Sequence, residues 1–333
     1  MGEKNFVINI NHTSEIPKYQ QLINSINHAI AKNTLQKGDL LPSINYISKK
    51  NNLSRDTVFK AYSVLKDQRV IKSVATKGYF VDGEIQKVLL VLDTIKAYKE
   101  VLYHSFITNL PENTITDVQF HQYKIDNFKT IINNSIGKYY KYIVMNFDDR
   151  EIIHVLKKIP NEKLLLIDWK IQSKPKNNFA VQDFGEAFYN SLVGAIDLFR
   201  KYEEILFVYP TFSNHPKESL TFFKKLAKDF KLNYKIVTNT KDFNIEKNKA
   251  YISVSDRILG KFLEQCREKN LEPGKDIGFL SYNETPMKKF IYKGISVVST
   301  DFKEMGAKSA EFITNESPMQ HYITTNLILR ESL

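Results

Sequence analysis

The chain has 333 residues, of which 42% are hydrophobic and 26% are charged, values typical of a globular protein with room for two or three domains. No apolar stretch reaches the ~20 residues that span a bilayer, and "MGEKNFVINI" has no cationic segment followed by a long apolar one. The sequence therefore predicts neither a membrane span nor a signal peptide. The one cysteine, Cys266, cannot form an internal disulfide, which is typical of a cytoplasmic protein.

The net charge of +11 indicates a polyanionic partner. Residues 1–86 carry 12 Lys and Arg against 7 Asp and Glu, whereas the rest of the chain carries 36 against 30. The density of positive charge is therefore higher in the N-terminal segment, which favours that segment for nucleic-acid binding. A Lys-, Asn- and Ile-rich composition can also reflect an AT-rich genome, so charge alone does not decide the function.

The N-terminal segment is predicted to form helices followed by a short hairpin. Pro17 suits the first turn of a helix, where its missing N–H costs nothing. "LQKGDLLPS" is a loop, because glycine and proline interrupt regular structure. The first helix carries an apolar stripe at helical spacing, made of Tyr19, Leu22, Ile23, Ile26 and Ile30.

Two more helices are predicted from serine caps. Ser43 caps a helix that presents Ile44 and Ile47, and "NNLS" forms the turn that follows. Ser54 caps a third helix, and "VIKSV" and "YFVDG" then form two strands around a glycine-containing turn. This order predicts a winged helix-turn-helix whose third helix enters a DNA major groove. The inner face of the third helix is Val58, Ala61, Tyr62 and Leu65.

The outward positions of this unit are the candidate DNA contacts. Asp56 can accept a hydrogen bond from cytosine, although a carboxylate in a first helical turn is also favoured by the helix dipole alone. Arg55 and Lys60 can equally belong to a solvated helix face, and Ser43 and Ser54 have local capping roles. The candidates are Ser43, Asn45, Ser54, Arg55, Asp56, Thr57, Lys60, Lys77 and Gly78.

From about residue 87, strand-like runs alternate with amphipathic helical patterns. Apolar strands flanked by helices predict parallel sheets covered on both faces. Ten such strands exceed one ordinary sheet, so the fold class is α/β, with residues 1–86 a winged helix-turn-helix and residues 87–333 a two-lobed domain of two doubly wound sheets. The runs are "KVLLVLD", "VQFHQY", "YIVMNF", "KLLLIDW", "FAVQDF", "EILFVYP", "NYKIV", "AYISVSD", "DIGFLSY" and "ISVVST".

Residues 15–82 resemble the GntR-family DNA-binding domain. The family pattern is Leu-Pro-Ser, an Arg-containing helix, Ser-Arg-x-Thr-Val, an apolar helix and a wing ending in Phe-Val. This chain has "GDLLPS", "LSRDTVFKAYSVL" and "TKGYFV" in that order. Many members place a DNA-contacting arginine two positions after the serine of Leu-Pro-Ser, where this chain has Asn45. Asparagine can still bond a phosphate or an adenine edge, so the resemblance implies DNA binding with altered affinity or operator choice.

Residues 87–333 resemble the LacI/GalR-type sensor domain, which is similar to periplasmic sugar-binding proteins. "VSDRILGKFLEQCREKNLEPGKDIGFLSYNET", "ISVVSTDFKEMGAKSAEFI" and "NLILRESL" parallel three segments of that family. Ser255 replaces the family's asparagine before Asp256, and Asn283 and Glu284 stand where two aspartates are usual. These positions face the ligand, so the effector's identity does not carry over. The resemblance implies a sugar-responsive, periplasmic-binding-protein-like repressor.

In such a two-lobed domain, ligand-facing groups lie just beyond the carboxyl ends of strands. Vicinal sugar hydroxyls need planar donors and acceptors, and the sugar's apolar face needs an aromatic ring, which Trp169 can supply. The alternatives are that Trp169 is a core or rim aromatic, that Asp256 is a helix cap and that Asp183 is structural. The effector-binding candidates are Tyr98, Asp148, Trp169, Asp183, Tyr209, Asp256, Arg257, Asn283 and Glu284.

The sequence thus predicts a cytoplasmic homodimer that binds double-stranded operator DNA and a small effector, in first place a monosaccharide. We predict no cofactor, catalytic residue or metal site, because no nucleophile–base pair, phosphate-binding glycine loop or metal-ligand spacing is found in the sequence. The alternatives are a GntR-like head fused to an enzyme or to a sensor of a non-sugar molecule, and a binding protein whose head has lost its DNA affinity.

Overall fold

The computed structural model describes residues 6–83, 85–170, 177–315 and 317–333. The chain folds into two compact units. The first comprises Met1–Leu90, Leu110–Gln119 and Asn134–Tyr142, and the second comprises Val91–Asn109, Phe120–Asn133 and Ile143–Leu333. The domain boundary between residues 86 and 87 stays a prediction from the sequence.

The N-terminal segment, called the head below, forms three helices and an antiparallel hairpin. The elements are α1 (Lys18–Ala31), α2 (Ile44–Lys50), α3 (Arg55–Asp67), β1 (Ile71–Val74) and β2 (Gly78–Val81). This is the helix, helix, turn, helix and wing order that the sequence predicts.

Local side-chain bonds explain where α2 and α3 begin. The Ser43 hydroxyl accepts a hydrogen bond from the Tyr46 N–H at 3.2 Å, and the Ser54 hydroxyl accepts one from the Thr57 N–H at 3.1 Å. Each bond satisfies a backbone donor that has no partner within its own helix. Behind these caps, the inner face of α3 is fully buried in the head core, as predicted, at Val58, Ala61, Tyr62 and Leu65.

The turn of the wing needs a residue without a side chain. Gly78 has φ of +104°, a conformation in which an L side chain is strained. The adjacent Tyr79 returns to the core, where its ring lies 4.7 Å from that of Tyr62. The wing therefore projects its tip while its base is anchored on α3.

We expect the substitution Tyr62→Phe to destabilise the head by about 1–3 kcal/mol, because the buried Tyr62 hydroxyl donates a hydrogen bond to the Pro42 carbonyl at 2.7 Å. Urea unfolding followed by circular dichroism measures the change. The matched control is Tyr46→Phe, whose hydroxyl is on the surface and whose loss should change stability by less than about 0.5 kcal/mol. Equal effects of the two substitutions would contradict the expectation.

After the head, strands and helices alternate along the chain. The first half has β3 (Gln86–Leu92), α4 (Ala97–Thr108), β4 (Thr114–Phe120), α5 (Ile125–Ser135), β5 (Lys141–Met145), α6 (Ile152–Leu156), β6 (Leu164–Asp168) and β7 (Asn178–Val181). The second half has α7 (Glu186–Val193), α8 (Ile196–Phe199), β8 (Glu204–Val208), α9 (Glu218–Asp229), β9 (Tyr234–Val237), β10 (Lys249–Ser253), α10 (Asp256–Glu268), β11 (Gly278–Tyr282), β12 (Ser296–Thr300), α11 (Phe302–Thr314), β13 (Gln320–Tyr322) and β14 (Thr325–Ile328).

These strands form two six-stranded sheets. Their orders are β13-β7-β6-β5-β3-β4 and β14-β12-β11-β10-β8-β9. In the second sheet all neighbours are parallel except β12 and β14. All ten predicted strands are present, and the predicted α/β class with two doubly wound sheets is confirmed. No helix among the described residues is long and apolar enough to cross a membrane.

The chain passes between the two sheets three times, after β7, after β12 and after β13. Hydrogen bonds tie the three crossing segments together. The Thr300 hydroxyl donates to the Gln182 side chain at 2.7 Å, the Ile323 N–H donates to the Val181 carbonyl at 2.8 Å, and the Asp301 N–H donates to the Thr324 carbonyl at 2.9 Å. These bonds hold the segments that follow β7, β12 and β13 together.

Candidate functional site

The outer face of the head presents the predicted DNA contacts to solvent. Arg55, Asp56 and Lys60 on α3 are exposed, as are Asn45 on α2 and the wing residues Lys77 and Gly78. The three elements that carry them are those that approach DNA in a winged helix-turn-helix. Within the described head, Arg55 and Lys77 form no ion pair, so both charges are available to a phosphate or a base.

Other candidates on this face are already engaged locally. Ser43 and Ser54 accept capping hydrogen bonds, and the Ser54 and Thr57 hydroxyls lie 2.8 Å apart. The Lys60 ammonium lies 4.0 Å from the centre of the Tyr19 ring, so α1 draws this side chain toward itself. A DNA contact by Ser43, Ser54, Thr57 or Lys60 would be additional to these roles.

A cleft of about 910 Å³ opens at the carboxyl ends of the strands within residues 143–333. Four of the nine predicted effector residues line it: Asp148, Trp169, Asp183 and Tyr209. They follow β5, β6, β7 and β8 in turn, as expected for parallel sheets. Further lining residues, which are not among the nine candidates, include Asn146, Arg150, Lys170, Gln182, His215 and Lys217.

The four predicted residues differ in what they offer a ligand. Both carboxylate oxygens of Asp183 accept backbone N–H bonds, from Gly185 at 2.9 Å and Ala187 at 3.1 Å, so this residue caps α7. The Asp148 carboxylate is exposed. Burial raises the pKa of the Tyr209 hydroxyl, and the negative charge of the nearby Asp148 raises it further. Trp169 packs its ring against the core of the second sheet. Asp148 is therefore the most available of the four, and it is the one that is exposed.

At His215, which lines the cleft, two neighbouring buried polar atoms have no partner among the described residues. They are the Nε2 atom of His215 and the hydroxyl of Tyr282, whose rings are 4.5 Å apart. Burial lowers the pKa of His215 to about 3, so its imidazole is neutral and can both donate and accept. A neutral imidazole beside a phenol suits a ligand hydroxyl better than a charged group.

The remaining predicted effector residues do not line this cleft. Tyr98 packs on Phe302 with ring centres 4.5 Å apart, and burial and the Asp168 carboxylate raise its pKa well above the usual range. The Asp256 carboxylate pairs with Lys288 at 2.8 Å, and the Arg257 guanidinium lies over the Phe212 ring.

Asn283 and Glu284 follow β11 and are held by neighbours. The Lys288 ammonium donates to the Asn283 carbonyl at 2.6 Å, and Glu284 pairs with Arg330. Glu284 lines a second cavity of about 460 Å³ beside Thr300 and Phe302. Roles for Asn283 and Glu284 in effector binding stay predictions.

A buried charged cluster lies at the carboxyl ends of β3 and β6. Lys99, only 2% exposed, forms an ion pair with Asp93, which also accepts a hydrogen bond from the Tyr123 hydroxyl. Asp168 accepts from the Gln182 amide, and burial raises its pKa while the Lys99 charge opposes that rise. Neither Asp93 nor Lys99 was among the nine effector-binding candidates.

His121 is expected to make stability depend on pH. It is fully buried, Nε2 lies 3.1 Å from the Met145 carbonyl, and Nδ1 accepts from the Tyr123 N–H at 3.1 Å. Burial lowers its pKa from 6.5 to about 4. Because the unfolded chain binds the proton first, the contribution of His121 to stability is complete above pH 6.5 and is lost as pH falls through about 4.

The expected loss from His121 is about 3 kcal/mol between pH 6.5 and pH 4. Urea unfolding at several pH values measures it for the wild type and for His121→Phe, which packs an uncharged ring in the same place. The wild type should lose stability faster than the variant over this range. Parallel pH profiles would show that His121 does not contribute.

No three His, Cys, Asp or Glu side chains of the described chain converge as ligands for a metal ion. The head matches a known family: residues 18–81 fit the family described as "Bacterial regulatory proteins, gntR family". The same region is similar to the uncharacterized HTH-type transcriptional regulator YcxD of Bacillus subtilis (strain 168), with 34% identity over 64 residues. That match covers 19% of this chain and 14% of YcxD, so it relates the head alone.

Solved structures are similar to a larger part of the chain. The trehalose repressor from Escherichia coli superposes with a TM-score of 0.62 at 14% identity, over 74% of this chain and 100% of that one. A LacI family transcriptional regulator from Lactobacillus casei, with bound glucose, gives a TM-score of 0.61 at 11% identity, over 74% of this chain and 99% of that one. At these identities the similarity shows the two-lobed fold.

Proposed function

We propose that the chain is a transcription regulator, in which the head binds operator DNA and the two-lobed domain binds a small carbohydrate. The observation that carries the proposal is that one chain joins a gntR-family head to a LacI-like two-lobed fold with a cleft of ligand size. The direction we propose is repression of a carbohydrate-utilisation operon, relieved by the sugar.

The chemistry of the cleft supports a polyhydroxylated ligand. Trp169 and Tyr209 can offer aromatic surface, and Asp148, Asn146 and neutral His215 can offer hydrogen bonds to hydroxyls. One of the two similar structures is a trehalose repressor, and the other has bound glucose. Neither sugar is thereby assigned to this chain. For this chain a monosaccharide is the first candidate.

Cations at the cleft favour a second candidate, a phosphorylated sugar. Arg150, Lys170 and Lys217 line the cleft and form no ion pair within the described residues. Two of the nearby carboxylates are already hydrogen-bonded to backbone N–H groups, Asp149 to Glu151 and Asp183 to α7. A ligand phosphate would neutralise the unpaired cations.

The proposed mechanism is coupling between the cleft and the head. Sugar binding closes the two lobes about the three crossing segments and changes the placement of two heads in a homodimer that reads a pseudo-palindromic operator. Such coupling is typically worth about 1–3 kcal/mol, equivalent to a change of about 5- to 150-fold in DNA affinity. The cytoplasmic location and the absence of enzymatic activity belong to the same proposal.

A gel-shift experiment with the DNA upstream of the chain's own gene tests the head. Binding at low salt supports the proposal, and no binding to that or to any selected duplex overturns it. The absence of binding would favour the alternative that the head has lost its DNA affinity.

A thermal-shift panel tests the cleft. The panel holds pentoses, hexoses, deoxyhexoses and sugar phosphates, and a ligand at 100 times its Kd should add about 2.7 kcal/mol of stability. The variant Asp148→Asn should lose much of the response to a hit. If no sugar or sugar phosphate raises the melting temperature, the carbohydrate proposal fails, and a non-sugar effector becomes the better explanation.

A further inference from the structure

The middle of the recognition face on α3 carries a large apolar side chain. Phe59 is 56% exposed, one turn after Arg55 and directly before Lys60. Within the described residues it forms no ring contact with another aromatic side chain. Single exposed apolar residues are common on protein surfaces, so the position of Phe59 decides whether its exposure has a function.

Packing of the head does not need Phe59. The buried face of α3 is complete with Val58, Ala61, Tyr62 and Leu65, each 0% exposed. Phe59 lies outside that buried face, on the solvent side that it shares with Arg55 and Ser63, because residues i and i+4 share a face of a helix. Phe59 therefore projects where the proposed DNA surface is.

The charge around Phe59 complements a nucleic acid. Exposed lysines and one arginine lie on α2, α3 and the wing, the same elements that present the candidate DNA contacts, and such side chains can contact phosphates. These exposed basic residues are Lys49, Lys50, Arg55, Lys60 and Lys77. An apolar ring between phosphate contacts faces the base edges, where the C5-methyl group of thymine is the apolar feature.

We propose that Phe59 is a specificity-determining residue that contacts a thymine methyl group in the major groove. This inference rests on the proposed function of the head. Phe59 buries its ring against the methyl group and disfavours cytosine at that position, while the basic residues supply binding that is independent of sequence.

Deoxyuridine isolates the proposed contact, because it pairs as thymidine does and lacks only the methyl group. A duplex selected from a randomised library by the full-length protein is resynthesised with deoxyuridine at one thymidine at a time. At one position in each half-site the wild type should lose about fourfold in affinity, the value of one buried methyl group. Phe59→Ala should bind both duplexes with equal affinity at that position.

Two variants complete the experiment. Phe59→Leu keeps an apolar side chain and should retain part of the deoxyuridine effect, and Tyr46→Ala, which removes an exposed aromatic residue from α2, should leave the effect at that position unchanged. If Phe59→Ala and the wild type respond equally to deoxyuridine at every position, Phe59 does not read the methyl group. If the wild type selects no duplex at all, the failure belongs to the proposed function of the head.

Discussion

Replacing Arg55 by alanine is expected to lower the affinity for the selected operator by about 10- to 100-fold. Arg55 is exposed in the first turn of α3, and a bidentate bond from an arginine to guanine is worth about 1–3 kcal/mol. Ser54 caps α3, so Arg55 is the first residue of the helix. In a winged helix-turn-helix the N-terminal part of this helix enters the major groove. Gel shifts over a range of salt concentrations measure the change.

The salt series separates two kinds of contact by Arg55. If Arg55 binds a phosphate, the variant weakens binding to all duplexes and the salt slope falls by about one. If Arg55 reads a base, the slope is nearly unchanged and the preference at one base pair is relaxed. Arg69 is the matched control, since it is exposed two residues beyond the end of α3, about 20 Å from Arg55 along the helix. A loss of less than threefold for Arg55→Ala, or an equal loss for Arg69→Ala, would contradict the expectation.

The head could be predicted almost completely because its signals are local. Ser43 and Ser54 cap the helices that follow them, and Gly78 adopts the positive φ that the wing requires. Each of these features depends on residues a few positions away in the chain. The proposed role of Phe59 was not predicted, because its exposure becomes informative only when the buried face of α3 is known to be complete.

The two sheets were predicted from apolar runs, but two strands were missed. β13 and β14 are three and four residues long, and neither contains a fully buried residue. Both lie at sheet edges, so they lack the continuous apolar pattern that identified the central strands. These two strands join their sheets only because the chain crosses between the lobes. The pattern of apolar residues does not predict that crossing.

The cleft was predicted in part. The strand-end rule selected Asp148, Trp169 and Tyr209 correctly as lining residues, because parallel strands bring their carboxyl ends together. The same rule could not show that Glu284 pairs with Arg330, which is 46 positions away. It also could not find His215, which lies in the loop before α9 and reaches the cleft only through tertiary packing.

Lys99→Met is expected to destabilise the second compact unit by about 3–5 kcal/mol. Lys99 and Asp93 are both almost fully buried, and removing one partner of a buried ion pair leaves the other charge without compensation. Asp168 loses the same cation, so its raised pKa should rise further. Urea unfolding followed by far-ultraviolet circular dichroism measures the loss. The matched control is Lys96→Met, which removes an exposed lysine three residues earlier and should cost less than about 0.5 kcal/mol.

A double variant separates the charge from the volume of the Lys99 side chain. Asp93→Asn combined with Lys99→Met removes both charges of the pair, so its cost should be smaller than the sum of the two single variants by about 1–3 kcal/mol. If the cost came from packing alone, the two effects would add. Asp93 and Lys99 lie beside the strand ends that form the cleft. If the double variant is stable but its melting temperature no longer rises with sugar, the pair also positions the ligand-binding loops. A double variant that binds as the wild type does would limit the pair to stability.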